Sequence, residues 1–162
     1  MKKKYLYIIL FVIGLVFIDQ ISKLLVVNYL NNEIVLINNF FSLEYVKNTG
    51  AAFGYFSGNV FLLIIVTIGL IIYLISELKN NIDKKLNVLF TLLIISGAIG
   101  NLIDRVFRGF VVDFISFILF NSQMPVFNIA DIFVTCGVLG LILIMFKEER
   151  KWKKLLLQKK MY

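Results

Sequence analysis

Two aspartates stand out as groups that could do chemistry, Asp113 in the stretch VVDF and Asp131 in FNIAD. Each lies in or beside a strongly apolar run, and neither has a basic residue within four positions. An unpaired carboxylate near lipid is costly and needs a reason. Two carboxylates brought close can share one proton, because like charge and low dielectric raise one pKa while the other group stays ionised. Such a pair activates a water with one member and protonates a carbonyl oxygen with the other, with no need of histidine or metal. The alternative is structural: Asp131 caps a helix and Asp113 sits solvated in a loop. Spacing by itself leaves both open.

The composition narrows the chemistry. The chain has no His, which excludes a Ser-His-Asp triad and a His-ligated metal. A single cysteine, Cys136, permits no internal disulfide and reads as core packing in an apolar helix. Hydrophobic residues make up 60% of the 162, above the roughly half expected of a soluble domain. The net charge is +7, and 13 of the 17 basic residues flank apolar runs: Lys2 to Lys4, Lys79 with Lys84 and Lys85, and a tail from Lys147 to Lys160. That pattern fits cytoplasmic membrane flanks and argues against a nucleic-acid partner.

Four apolar runs can position the aspartates, at about 5–27, 60–75, 86–103 and 126–146, followed by a basic tail over 147–162. The first resembles a signal peptide. It has no A-x-A pattern after it, and as a helix it would reach about 34 Å, enough to span. The second can be extended backwards through Phe53 to Phe56. Pro125 suits the entrance of the fourth. The lysine bias puts both termini and the 76–85 loop in the cytoplasm, and the loops 28–59 and 104–125 outside. Alternation of Phe41, Leu43 and Tyr45 with Ser42 and Glu44 predicts a strand, with turn signals at Asn31-Asn32 and Asn38-Asn39 around a second short stretch, Ile34 to Ile37. Residues 110–120 read as a strand around Val111-Val112 and then an interfacial helix. The expected fold is thus an all-α membrane protein, one domain of four transmembrane helices with a small extracytoplasmic β-sheet and an interfacial loop.

This topology gathers the unusual polar residues at one membrane level: Asp19 and Lys23, Asn48 to Gly50, Asn101, Asp104 and Arg105, Asp113, and Asn128 with Asp131. Asp19 and Lys23, four apart, can pair on one helix face, as a structural ion pair or as a substrate contact. If its helix continues, Asp104 is better served by Arg108 than by its neighbour Arg105, which leaves Arg105 to brace other groups or bind substrate. Gly50-Ala51-Ala52 and Gly97-Ala98…Gly100 suit close helix packing. A proton-coupled carrier would also use intramembrane carboxylates, but would place them near the midplane.

Five blocks in order resemble the lipoprotein signal peptidases of bacteria, signal peptidase II: FIDQISK with Asp19 and Lys23, Asn48-Thr49-Gly50-Ala51-Ala52-Phe53, Gly100-Asn101-Leu102-Ile103-Asp104-Arg105, Val111-Val112-Asp113-Phe114, and Phe127-Asn128-Ile129-Ala130-Asp131. The resemblance implies an intramembrane aspartic endopeptidase of the bacterial cytoplasmic membrane, multi-pass, with its site at the extracytoplasmic face. It implies cleavage of prolipoproteins before a diacylglyceryl-modified cysteine. Asp113 and Asp131 match the catalytic pair; Asn48, Gly50, Asn101, Asp104, Arg105, Asn128 and Ala130 match positions around it, and Asp19 and Lys23 a supporting pair. Neither metal nor cofactor is implied. The expected partners are prolipoprotein signal peptides and membrane lipids, and the chain is expected to act as a monomer. Where many members carry Ser after the last aspartate, this chain has Ile132, which removes a hydrogen bond available beside Asp131.

Overall fold

The computed structural model describes residues 2–50, 58–120 and 122–159. Four long apolar helices carry the chain: α1 (Lys2–Tyr29), α2 (Val60–Asn80), α3 (Lys85–Arg108) and α4 (Ile129–Lys159). Each has the length and composition to cross a membrane. α3 is the central one. It packs against the other three, and its apolar stretch is far more buried than theirs. On α1, Leu10, Ile13 and Phe17 are exposed, as are Phe61, Ile65 and Ile72 on α2. Apolar faces of this kind are stable only against lipid.

Small residues allow the central packing. A Cβ on Gly97 would run into the carbonyl oxygen of Ala130, and one on Gly100 would come within 2.5 Å of Asp19 Oδ2. Glycine at these two positions therefore lets α3 approach both α4 and the Asp19 carboxylate, as the pattern predicts.

The sheet lies between the helix ends and has the order β1-β2-β3-β4, with β1 (Ile34–Ile37), β2 (Phe41–Asn48), β3 (Val111–Leu119) and β4 (Ser122–Gln123). All neighbours are antiparallel. Asn39 takes a positive φ of 56° at the β1–β2 turn, a conformation that asparagine tolerates better than most residues. Gly109, with φ 77°, ends α3 and turns the chain into β3, and its N–H donates to the carbonyl of Arg105. Val26, Val112 and Phe114 form the core beneath the sheet, and Ile129 packs against them.

The structure corrects several expectations. Residues 111–119 are strand throughout, so no helix follows Val111-Val112. The β-branched Val111, Val112, Ile115 and Ile118 favour extended backbone, and partners on both sides take up its hydrogen bonds: β2 on one, Phe127 and β4 on the other. The third span continues past Ile103 to Arg108, because the charges at its end are satisfied inside the protein. The fourth starts at Ile129 and not Val126, since Phe127 still pairs with Ile115 and Asn128 caps the helix. Cys136 is exposed on the outer surface of α4, not in the core. Ala51, Ala52 and the backward extension of α2 through Phe53 to Phe56 lie outside the described residues.

Candidate active site

The sheet register brings Asn48 to Asp113. Asp113 on β3 pairs with Val46 on β2, and Asn48 lies two residues on, along the same face. Asn48 Nδ2 donates to Asp113 Oδ2 at 2.8 Å, and Asn48 Oδ1 accepts from the Gly50 N–H at 2.9 Å.

Asp131 is fixed by the start of its own helix. Asn128 Oδ1 accepts from the Asp131 N–H at 3.0 Å, and Asp131 Oδ2 accepts from the Asn128 N–H at 3.2 Å. This is a capping box, in which two backbone donors at a helix entrance are satisfied reciprocally. Asn101 Nδ2 on α3 donates to the other oxygen, Asp131 Oδ1, at 2.8 Å. The helix-cap reading of Asp131 is therefore correct and does not exclude a chemical role. Asp113 is not a solvated loop residue, since only 1% of it is exposed.

Asn128 joins the two carboxylates. Its backbone N–H holds Asp131, while its Nδ2 donates to Asp113 Oδ1 at 2.6 Å and to Asn101 Oδ1 at 3.1 Å. It is fully buried. Both aspartates line one cavity of about 950 Å³, shared with Asn48, Gly50, Asn101 and Arg105. Burial pushes the Asp113 carboxyl up to about 6, and the nearby Asp131 charge adds to this, while hydrogen bonds from Asn48 and Asn128 and the charge of Lys23 oppose it. Asp113 thus keeps a proton more readily than an ordinary carboxylic acid. Each of its oxygens has two lone pairs, so the asparagine bonds leave room for that proton.

Behind the cavity lies a closed polar network. Lys23 is fully buried and spends its three N–H bonds on Asp19 Oδ2 (2.9 Å), Asp104 Oδ2 (3.1 Å) and Asn101 Oδ1 (2.9 Å). The last bond matters for the site. With Lys23 and Asn128 both donating to Asn101 Oδ1, the amide must turn its Nδ2 toward Asp131. Asp19 Oδ1 accepts from the Ala130 N–H (2.9 Å) in the first turn of α4, and Asp104 Oδ2 accepts from the Val112 N–H (3.0 Å) of β3. Asp104 Oδ1 pairs with Arg108, the partner expected one helical turn away. Two acids and two bases balance, which is how charges survive at low dielectric.

The sequence-derived residues therefore divide. Asn48, Gly50, Asn101, Arg105, Asp113 and Asp131 line the cavity, and Asn128, buried behind it, bonds to Asn101, Asp113 and Asp131. Asp19, Lys23, Asp104 and Ala130 do not line it. Asp19 and Lys23 form a fully buried ion pair, and Ala130 packs closely against Gly100. Arg105, freed as expected, donates to the Gly50 carbonyl at 3.0 Å, and the charges of Asp131 and Asp113 act on it. Ile132 is 39% exposed and faces outward, away from the Asp131 bonds.

Sequence reasoning overlooked Gln20. Its Nε2 lies within hydrogen-bond distance of Asp19 Oδ2, the Gly100 carbonyl and Asp104 Oδ1, tying α1 to α3. A glutamine inside an apolar run carries the same signal as a charge there, and could have been read from it. Gln123 and Met124 also line the cavity, and the former donates to Glu44 at 2.8 Å to hold β4 across the sheet. Nothing local to these residues marks them.

Known proteins resemble this chain in sequence and in fold. The sequence profile of the family described as "Signal peptidase (SPase) II" matches residues 11–147. A "Lipoprotein signal peptidase" of Clostridioides difficile is 45% identical over 154 residues, covering 90% of this chain and 97% of that protein. One of Clostridium tetani is 40% identical, covering 88% and 93%. A solved structure described as "Bacterial membrane enzyme structure by the in meso method at 2.3 A resolution" superposes with a TM-score of 0.82 at 32% identity, covering 88% of this chain and 89% of the other.

Proposed function

We propose, from the premise that this chain belongs to the signal peptidase II family and is an aspartic protease of the membrane, that Asp113 and Asp131 are the catalytic dyad for cutting prolipoproteins before a diacylglyceryl-modified cysteine. The observation that carries the assignment is Asn128, one buried side chain and N–H that hold both carboxylates at a single cavity. In this reading Asp113 supplies the proton, because burial raises its pKa to about 6. The Asp131 carboxylate takes a proton from water, and the water oxygen adds to the scissile carbonyl carbon. Asp113 donates its proton to the carbonyl oxygen. The tetrahedral adduct then collapses, its hydroxyl returns a proton to Asp113, and the proton on Asp131 passes to the departing amide nitrogen. The sum is one peptide bond and one water consumed.

Position supplies the rest. The signal peptide crosses as a helix, and the acyl chains of the modified cysteine stay in lipid, which sets the depth of the scissile bond. Asp113 on β3 and Asp131 in the first turn of α4 lie together at one end of the helix bundle, which supports a site matched to that depth. Holding bond, water and dyad together removes much of the entropic part of the barrier. The lysine-flanked ends support a topology with both termini in the cytoplasm and this site at the extracytoplasmic face.

The test is to replace Asp113→Asn and Asp131→Asn singly in the full chain. Each variant should insert into the membrane normally and lose at least about 10³-fold in cleavage of a diacylglyceryl-modified precursor. Wild-type turnover by either one would refute the dyad.

A further inference from the structure

At the end of the helix bundle far from the dyad, α1 and α3 run side by side. Between them lies a second cavity of about 450 Å³. Its walls run from Lys4 to Phe11 on α1 and from Lys85 to Leu92 on α3. Each wall is about 10 Å long at ~1.5 Å per residue. The two helices are parallel, since Lys4 meets Asp83 at one end while Lys23 meets Asp104 at the other. The lysines therefore stand together at the mouth, and Phe11 and Leu92 lie at the apolar depth.

The charges at the mouth do not cancel. Lys4 is spoken for, donating to the Ile82 carbonyl at 2.6 Å and pairing with Asp83 at 3.2 Å. Lys84 pairs with Glu148. Among the described residues Lys85 has no ion-pair partner. It opens α3, a helix whose first turn contains no acidic residue and whose N-cap makes no side-chain bond. One uncompensated cation and the positive end of a helix thus face the opening of an apolar slot. A ligand that complements both has one negative charge attached to a hydrocarbon chain.

We propose that this groove binds one anionic phospholipid from the leaflet opposite the active site, its phosphodiester at Lys85 and the start of α3 and the upper part of one acyl chain between Tyr7, Phe11 and Leu89. Lys4, held by Asp83 and the Ile82 carbonyl, forms the rim. The site is separate from the dyad and does not depend on the proposed mechanism.

Native mass spectrometry of the full chain in detergent, titrated with phosphatidylglycerol or phosphatidylcholine of matched acyl chains, tests it. The expected result is one phosphatidylglycerol per chain, held more tightly than phosphatidylcholine. Lys85→Gln should weaken phosphatidylglycerol about fivefold, the usual effect of one lysine on an anionic lipid, and leave phosphatidylcholine unchanged. Leu89→Trp, which fills the slot, should weaken both lipids. Lys153→Gln, in the tail and outside the lining of the groove, should change neither, and inorganic phosphate should not compete. Equal retention of the two lipids by the wild type would overturn the proposal. So would an effect of Lys153→Gln as large as that of Lys85→Gln, which would mark general charge attraction.

Discussion

Removing the Asn48 side chain should move the alkaline limb of the pH–rate profile upward. In the native site Asn48 Nδ2 donates to Asp113 Oδ2 at 2.8 Å, a bond that favours the ionised carboxyl and opposes the upward push of burial. Asn48→Ala deletes that support, so the anion becomes less favourable and the pKa rises from its value of about 6. A hydrogen bond to a charged group contributes about 1.5–3 kcal/mol, and one pKa unit is about 1.4 kcal/mol, so the shift is roughly one to two units. Water entering from the cavity replaces part of the lost bond and favours the lower figure. At pH 7 the protonated fraction of Asp113 should climb from about one-tenth to about half or more. The assay is kcat/KM for a diacylglyceryl-modified precursor peptide from pH 5 to 9, which reports the free enzyme. The height of the profile should also fall, because Asn48 Oδ1 anchors the Gly50 N–H and so the loop that Arg105 grips. The position of the limb is therefore the diagnostic quantity. A limb that stays in place, or moves down, would refute the assignment of Asp113 as the proton donor.

Lys23→Met should destabilise the fold by about 3–5 kcal/mol, because it strands Asp19 as a buried charge that faces no cation and leaves Asp104 with Arg108 alone. Thermal unfolding in detergent reads this, and a melting temperature within a degree of wild type would contradict the network. For orientation, a phosphatase reporter that works only outside the cytoplasm should be inactive when fused after Tyr162 and active when inserted at Gly58. The opposite pattern would invert the topology.

Much of the architecture was legible because it rests on one-dimensional signals. Apolar runs of spanning length give the four helices, alternation gives β2, and asparagine pairs give the hairpin turn. The i,i+4 spacing gave both the Asp19–Lys23 and the Asp104–Arg108 pairs, since a helix turns any such pair into neighbours. Residues 110–120 were misread for a related reason. An apolar run that is covered on both faces has no periodicity, and its neighbours choose between strand and helix. Cys136 was misplaced because in lipid the outside of a helix is as apolar as its inside, so hydropathy does not say which way a residue points.

The residue types by themselves determined which chemistry was open. With no histidine, and with two carboxylates lacking a local cation, an aspartic pair was the available route to hydrolysis. The ordered blocks around those carboxylates tied it to a family. Only the tertiary structure decided what holds the pair. That Lys23 turns Asn101, that Asn101 then faces Asp131, and that Asn128 grips both aspartates are contacts between helices and strands far apart in the chain. No local spacing encodes them. They exist because glycines at 97 and 100 let α3 close on α4 and Asp19, and because the β2–β3 register places Asn48 beside Asp113.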